Sequence, residues 1–358
     1  MSLESEQRLA TYDYSLDPSL IAAAPVASRD QSRLLVYHRK KETTEHRLFS
    51  ALPEYLRPSD LLILNDTRVI PARLQVRKPS GGLIELLLLR PVSAGGVVWE
   101  AMVRGKVAVS TTLTLAGGGS ARVARDLGEG RKEICFDLPE GYSDLNAYLE
   151  RWGEMPLPPY IVKKRGGKGD PGDLTDDRAR YQTVYARVPG SAAAPTAGLH
   201  FTEALLEEVR QKGIRIARVT LHIGTGTFQP MRGEQLSDHE MHREWFQIPA
   251  ETAEAIAATR RAGGKVVAVG TTATRALESA ARPDGIVEPG EGETVLFITP
   301  GYRFKVIDGL ITNFHLPKST LLVLVSAFAG CEPIRSVYEE AVRERYRFYS
   351  YGDAMLIM

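Results

Sequence analysis

Between residues 66 and 138 the texture of the chain changes, and that change restricts its fold more than any other feature. Ala72-Arg73-Leu74-Gln75-Val76-Arg77 alternates apolar with polar, and residues 83–89, 97–103, 111–115, 121–124 and 133–138 are further short strand candidates. Gly81-Gly82, Gly95-Gly96 and Gly117-Gly118-Gly119 punctuate them, and no helical period intervenes. Period-2 segments separated by glycine turns predict a small antiparallel barrel.

The flanks read differently. Residues 34–36 and 61–64 are apolar runs suited to buried strands, and Asp17-Pro18 is placed to start a helix, with Asp17 as cap and Pro18 at the first helical position. After the Pro-rich bend Met155-Pro156-Leu157-Pro158-Pro159-Tyr160 comes a polar loop over 163–180, expected to be mobile. Helices are predicted at 203–212 (capped by Thr202, stopped by Gly213), 251–262, 272–281, 320–329 and 335–345. Strands are predicted at 214–223, 265–269, 294–298 and 354–357. The fold class is therefore mixed α/β, with a discontinuous main domain (1–65 and 151–358) and an inserted antiparallel β-barrel domain (66–150). A length of 358 residues accommodates two such units.

Charge and cysteine content remove several function classes. The formal net charge is +1, so a nucleic-acid site must come from local segregation. Residues 66–125 hold nine basic against three acidic side chains, an excess of +6 that falls to +4 when the window extends to 138. Cys135 and Cys331 stand far apart, which excludes a disulfide scaffold, a multi-cysteine zinc site and a conventional iron–sulfur cluster. The start of the chain is polar and acidic and the greasiest run (321–330) is short, so a soluble cytoplasmic protein without membrane segments is expected.

Familiar nucleotide fingerprints fail. Gly167-Lys168-Gly169-Asp170-Pro171-Gly172 has the letters of a dinucleotide loop but follows Lys163-Lys164-Arg165 instead of a strand, with Pro171 near the required helix start. Leu316-Pro317-Lys318-Ser319-Thr320 lacks the phosphate-loop glycines, no G-x-S-x-G occurs, and His239-Glu240-Met241-His242 has the wrong spacing for a zinc helix.

Positive signals lie where strands or loops meet helix starts. Val269-Gly270-Thr271-Thr272 runs a buried strand into a helix N-terminus, either a plain tight turn or a seat for a carboxylate, ribose or phosphate. His200, His222 and His315 each stand at an element end beside Gly or Pro, where α/β proteins form ligand sites, although a lone histidine is more often structural. Residues 238–244 read as a charged lead-in or a binding loop. Tyr349-Ser350-Tyr351-Gly352-Asp353 reads as core aromatics, or as an aromatic wall with one carboxylate for a cationic ligand.

These segments together resemble the S-adenosylmethionine:tRNA ribosyltransferase-isomerases of queuosine biosynthesis. The resemblance runs through Leu64-Asn65-Asp66-Thr67-Arg68-Val69-Ile70-Pro71-Ala72-Arg73, Pro156-Leu157-Pro158-Pro159-Tyr160-Ile161 and Arg180-Tyr181-Gln182-Thr183-Val184-Tyr185-Ala186. It continues through the His200 segment, Thr220-Leu221-His222-Ile223-Gly224-Thr225-Gly226-Thr227-Phe228, Gly270-Thr271-Thr272 with Arg275, Thr312-Asn313-Phe314-His315-Leu316-Pro317 and Phe348-Tyr349-Ser350-Tyr351-Gly352-Asp353-Ala354-Met355-Leu356. Small departures (an extra residue at Leu16-Asp17-Pro18, and Ala27 where Pro is common) touch the start of the chain, away from these motifs.

The resemblance implies an α/β domain carrying an inserted β-barrel. It implies transfer and isomerisation of the ribosyl group of S-adenosylmethionine onto 7-aminomethyl-7-deazaguanine at the tRNA wobble position, giving epoxyqueuosine-tRNA, adenine and methionine. S-adenosylmethionine is then a consumed substrate, with no further cofactor and no metal. The sulfonium acidifies the C5′ proton, so a base must reach it, and adenine leaves better if a ring nitrogen receives a proton. The resemblance points to two of His200, His222 and His315 as base and acid, and to Gly270, Thr271, Thr272 and Arg275 for the methionine carboxylate or ribose. Asn313 is expected to contact substrate, and Tyr349, Tyr351 and Asp353 to lie near the sulfonium. Arg68, Arg73, Lys163, Lys164, Arg165 and Arg180 are expected to meet tRNA, and the protein to act as a monomer without an obligate protein partner. Two other functions compete: an S-adenosylmethionine-dependent RNA methyltransferase, which would release S-adenosylhomocysteine, and a non-catalytic RNA-binding module, which leaves the histidine motifs unexplained.

Overall fold

A computed structural model describes residues 3–92, 96–166, 174–224, 231 and 233–358. After α1 (Leu3–Glu6), Asp17 accepts the Ser19 N–H as expected of a cap, but the element that follows is a 3-10 turn, Pro18–Leu20, and not an α-helix. The backbone is diverted: Ala22 donates to Phe348 O and Phe348 donates to Leu20 O, so pairing with a distant segment replaces helix propagation. β1 (Arg33–His38) and β2 (Thr43–Leu48) form a hairpin, and β3 (Leu61–Asn65), buried at every position, leads into the short β4 (Thr67–Val69). β2 escapes sequence detection because it is a polar edge strand, Thr-Thr-Glu-His-Arg-Leu.

The predicted barrel is present and closed. β5 (Arg73–Arg77), β6 (Leu83–Pro91), β7 (Val98–Arg104), β8 (Thr112–Thr114), β9 (Ser120–Gly128) and β10 (Arg131–Asp137) join in the order β10-β7-β6-β5-β8-β9. Alternate residues such as Leu74, Val76, Ile84, Leu86, Val123 and Ile134 fill its interior. At the β8–β9 turn Gly119 has φ +78°, and a Cβ there would lie 2.5 Å from Asp137 O, so only glycine fits. α2 (Leu145–Trp152), capped by Asp144, adds Leu145, Tyr148 and Leu149 to the barrel core. Arg73 and Glu154 exchange backbone hydrogen bonds (3.2 and 2.8 Å), clasping the two connections to the main sheet.

Beyond the barrel lie α3 (Pro159–Lys164), α4 (Leu174–Arg180), β11 (Val188–Ser191), α5 (Glu203–Gln211) and β12 (Arg215–Leu221). The predicted Thr202 cap is made, with Leu205 N–H donating to Thr202 Oγ1. β13 (Glu244–Ile248), α6 (Ala250–Arg261), β14 (Val266–Val269), α7 (Gly270–Ala280), β15 (Gly290–Thr294), β16 (Gly309–Asn313), α8 (Thr320–Ala329), α9 (Cys331–Arg343) and β17 (Ala354–Ile357) complete the fold. The strand predicted at 294–298 ends where it should begin. Thr294 Oγ1 takes the Leu296 N–H and Arg275 takes Leu296 O, so the chain leaves the sheet there. Residues 238–244 end where β13 starts, at Glu244. No single helix among the described residues is long and apolar enough to cross a membrane; α8 and α9 reach that length only together, bent by 116°.

The main sheet has the order β15-β13-β12-β3-β14-β16-β17-β1-β2. β12, β3, β14 and β16 run parallel; β17 is antiparallel to β16 and parallel to β1. The carboxyl ends at Asn65, Leu221, Val269 and Asn313 therefore share one edge with the starts of β17 and β1, the edge where α/β sheets bind ligands.

Candidate active site

At this edge β14 passes into α7 without a loop. Gly270 makes the turn at φ +89°, a value that favours glycine, and brings the first N–H groups of α7 to the sheet end. Asn65 locks the corner: Nδ2 donates to Leu221 O and Thr272 Oγ1 (both 3.0 Å), while Oδ1 accepts the Thr67 and Leu221 N–H groups. Beside it lies a cavity of about 220 Å³, walled by residues 159–160, 193–197, 270–272, 312–316 and 349–350, with Ile223, Ser319 and Leu321. Among the described residues no Asp, Glu, Lys or Arg lines it.

The three histidines converge on this region, but only His315 lines the cavity. His315 Nε2 lies 2.7 Å from Thr312 Oγ1, whose hydroxyl donates to Asn313 O at 3.3 Å. The Thr312 hydroxyl therefore fixes the orientation of the His315 ring through Nε2. The main chain of His315 is fixed by Tyr14 and Tyr338. His200 is held at both nitrogens. Ser32 donates to Arg29 O and lies 2.7 Å from Nδ1, and Asn313 Nδ2 donates to Nε2 at 3.2 Å. His200 lines a separate cavity of about 20 Å³ with Arg29, Ser32, Arg180 and Tyr351. His222 stacks on Trp245 (centroids 4.9 Å apart, planes 24°) and its Nδ1 lies 2.8 Å from Thr67 Oγ1. A Cβ on Gly190 would lie 2.6 Å from His222 Nε2, so that glycine admits the ring. Burial lowers the pKa of His315 to about 3 and those of His200 and His222 to about 4, so all three are neutral at pH 7.

Gly270, Thr271, Thr272, Asn313 and Tyr349 line the cavity as well. Asn313 Nδ2 also donates to Tyr349 O (3.0 Å), and Tyr349 N–H donates to Phe314 O (3.0 Å). These bonds hold Tyr349 at φ +75°, a left-handed conformation costing about 1–2 kcal/mol for a residue with a Cβ. Arg275 stands one turn into α7, away from the cavity wall. Its guanidinium pairs with the buried Glu244 carboxylate and donates to Leu296 O (2.9 Å), and Glu244 in turn accepts the Gly224 N–H (3.0 Å). The Thr225-Gly226-Thr227-Phe228 part of that motif lies outside the described residues. Tyr351 donates to Asp177 (3.4 Å), and Asp353 accepts from the Arg33 and Arg347 N–H groups and the Arg347 guanidinium. Neither lines the larger cavity; Asp353 ties the start of β17 to β1.

The basic residues expected at tRNA divide by environment. Lys163 is exposed on α3. Lys164 donates to the carbonyls of Pro18, Ser19 and Ile21, Arg165 to Ala23 O and Asp177, and Arg180 to Val26 O and Ala27 O. These three tie residues 163–180 to the N-terminal segment, and α3 and α4 are ordered elements within the stretch expected to be a mobile loop; residues 167–173, with the Gly167–Gly172 pattern, lie outside the described residues. Arg73 donates to Leu157 O (3.1 Å), and Arg68 makes an exposed pair with Glu150. Much of the barrel's basic excess is also paired, Arg90 and Arg131 with Glu100 and Arg104 with Glu85. Arg77 on β5 and Arg122 on β9 flank β8 on the outer face and make no ion pair among the described residues.

Sequence reasoning passed over Tyr160, Thr312, Ser350 and Ser32. Tyr160 sits in a motif read as a Pro-rich bend and as part of the family resemblance, with no role given to the residue itself, while Ser32 has no local signal because its partner is 168 positions away. Among the described residues no group of three or more His, Cys, Asp or Glu side chains is placed to hold a metal ion.

Known proteins match this arrangement over nearly its full length. A chain of 52% identity over 349 residues, covering 97% of this chain and 98% of its own, is the S-adenosylmethionine:tRNA ribosyltransferase-isomerase of Trichlorobacter lovleyi. The protein of the same name from Moorella thermoacetica is 52% identical over 355 residues, covering 98% of this chain and 100% of its own. The crystal structure of S-adenosylmethionine tRNA ribosyltransferase from Thermotoga maritima is similar at 38% identity and TM-score 0.54, covering 97% of this chain and 100% of that one. The profile of the family described as "Queuosine biosynthesis protein" matches residues 9–357, and with relatives this similar along their whole length the chain belongs to that family.

Proposed function

We propose that this chain is an S-adenosylmethionine:tRNA ribosyltransferase-isomerase, moving and isomerising the ribosyl group of S-adenosylmethionine onto 7-aminomethyl-7-deazaguanine at the tRNA wobble position. The products are epoxyqueuosine-tRNA, adenine and methionine. The name its full-length relatives share supports the reaction. The observation that carries the site is the cavity at the sheet edge, which gathers Gly270–Thr272, Asn313, His315 and Tyr349 from three separate segments.

In this reading S-adenosylmethionine occupies the cavity, with the α7 N-terminus receiving its carboxylate or ribose hydroxyls. His315 takes the C5′ proton, since it is the histidine on the cavity wall. His200 and His222 hold the surrounding segments, and Arg275 acts indirectly by fixing Glu244 and Gly224. Transfer RNA lies along the outer barrel face bearing Arg77 and Arg122, with Arg68 and Lys163 nearer the main domain. The enzyme works as a cytoplasmic monomer and needs no metal or further cofactor.

The test is incubation with S-adenosylmethionine and tRNA carrying the aminomethyl base, followed by mass spectrometry of small molecules and digested nucleosides. Adenine and methionine together with an epoxyqueuosine nucleoside support the assignment; S-adenosylhomocysteine with a methylated nucleoside refutes it in favour of methyl transfer. His315→Gln should lower kcat by about 10²–10⁴-fold with little change in S-adenosylmethionine affinity. Unchanged turnover would remove His315 from the chemistry.

A further inference from the structure

A sulfonium carries a positive charge into whatever cavity receives S-adenosylmethionine, and the described walls of this one offer no carboxylate. Asp353, the acid nearest in sequence to the aromatic motif, is turned away and saturated by Arg33 and Arg347. Asp177 is taken by Arg165 and Tyr351. The cavity does present two tyrosine rings from opposite sides of the chain. Tyr160, at the start of α3, and Tyr349, before β17, have centroids 4.4 Å apart and planes inclined at 54°. The two rings pack on each other, so what these walls offer a cation is an aromatic pair and no carboxylate.

Both tyrosines are tied into the surrounding structure by hydrogen bonds. The Tyr160 hydroxyl accepts the Ser350 N–H at 2.9 Å, and Lys164 and Arg165, one turn further along, moor that segment to the carbonyls of residues 18–23. Tyr349 keeps its left-handed backbone through Asn313 and Phe314. The Tyr160 ring is thus fixed through its hydroxyl, and the Tyr349 main chain through its carbonyl and N–H, before any ligand arrives.

Resting on the reading that S-adenosylmethionine fills this cavity, we propose that Tyr160 and Tyr349 form its sulfonium site, with Tyr160 the specificity-determining residue that separates the charged substrate from neutral thioethers. S-adenosylhomocysteine, which lacks the charge, gains nothing from the two rings beyond apolar contact. Ring faces also meet the charge without stabilising it as strongly as a carboxylate would, so the sulfur remains a good leaving group.

The experiment measures S-adenosylmethionine and S-adenosylhomocysteine binding to the full chain by titration calorimetry. Wild type should prefer the sulfonium by about 10-fold, within the range of two ring contacts. Tyr160→Phe should keep the preference, whereas Tyr160→Leu should reduce it about 3- to 10-fold and leave S-adenosylhomocysteine affinity within about twofold. Should Tyr160→Leu fail to fold, site-specific trifluorophenylalanine at position 160 keeps the ring shape while weakening the quadrupole, and the preference should fall in the same way. Equal loss of both ligands in these variants would mark Tyr160 as a packing residue and overturn the proposal. A wild-type protein without preference would overturn it too, leaving the substrate reading intact. Binding of neither ligand would overturn the substrate reading and this proposal with it.

Discussion

Acidification from pH 7 to pH 5 should destabilise the main sheet and leave the barrel little affected. His200, His222 and His315 have folded pKa values of about 4, 4 and 3 against 6.5 for the free side chain, in each case because burial disfavours the charged ring. A depressed histidine pKa contributes stability in full above pH 6.5 and loses it as pH falls from 6.5 towards the folded value, since only the unfolded chain takes up the proton. Each histidine then forfeits about 2 kcal/mol between pH 7 and pH 5, and the three together about 5–6 kcal/mol. That is comparable with the whole stability of a typical domain, about 5–15 kcal/mol. The barrel supplies an internal control, because none of the chain's seven histidines falls between residues 66 and 150. Urea titrations at the two pH values, followed by far-UV circular dichroism and by the fluorescence of Trp245 on its His222 stack, separate the two units. His200→Gln, His222→Gln and His315→Gln should each shrink the pH-dependent loss by about 2 kcal/mol, whatever they do at pH 7. A wild-type midpoint that stays put between pH 7 and pH 5, or variants that lose as much as wild type, would refute neutral burial of these rings.

Glu244→Ala leaves Arg275 buried without its counter-ion and should cost about 3–5 kcal/mol, read as a lower Tm and a lower urea midpoint. Gly198→Ala places a methyl 2.0 Å from the Tyr185 hydroxyl and 2.8 Å from Thr183 Cγ2, so chemical denaturation should show a loss of about 1–3 kcal/mol. Arg77→Ala with Arg122→Ala should weaken tRNA binding uniformly across sequences and reduce the slope of log affinity against log salt by about 2, measured by filter binding between 50 and 200 mM salt. Lys164→Ala should instead lower stability, because its ammonium is engaged by three carbonyls.

Much of the architecture was legible because its cause is local. Period-2 alternation with glycine turns revealed the barrel, since each strand must point every second residue into the barrel interior. The Thr202 cap, the apolar run 61–64 of β3 and the all-apolar β14 likewise carry their structure in neighbouring residues. Edge strands such as β2 and β15 escaped, because their faces are polar and only hydrogen bonds to a distant strand make them strands. The same limit governs the site. Three histidine motifs stood out in the chain, yet nothing within them says that His315 lines the cavity while Ser32 and Asn313 occupy His200 and Thr67 occupies His222. Nor does the Lys163-Lys164-Arg165 run show that one cation faces solvent while the next two hold the start of the chain. Residue type and spacing set which groups were available at the sheet edge. Which of them face a ligand was decided by partners up to 301 positions away, brought within hydrogen-bond reach only when the sheet order and the barrel insertion close around them.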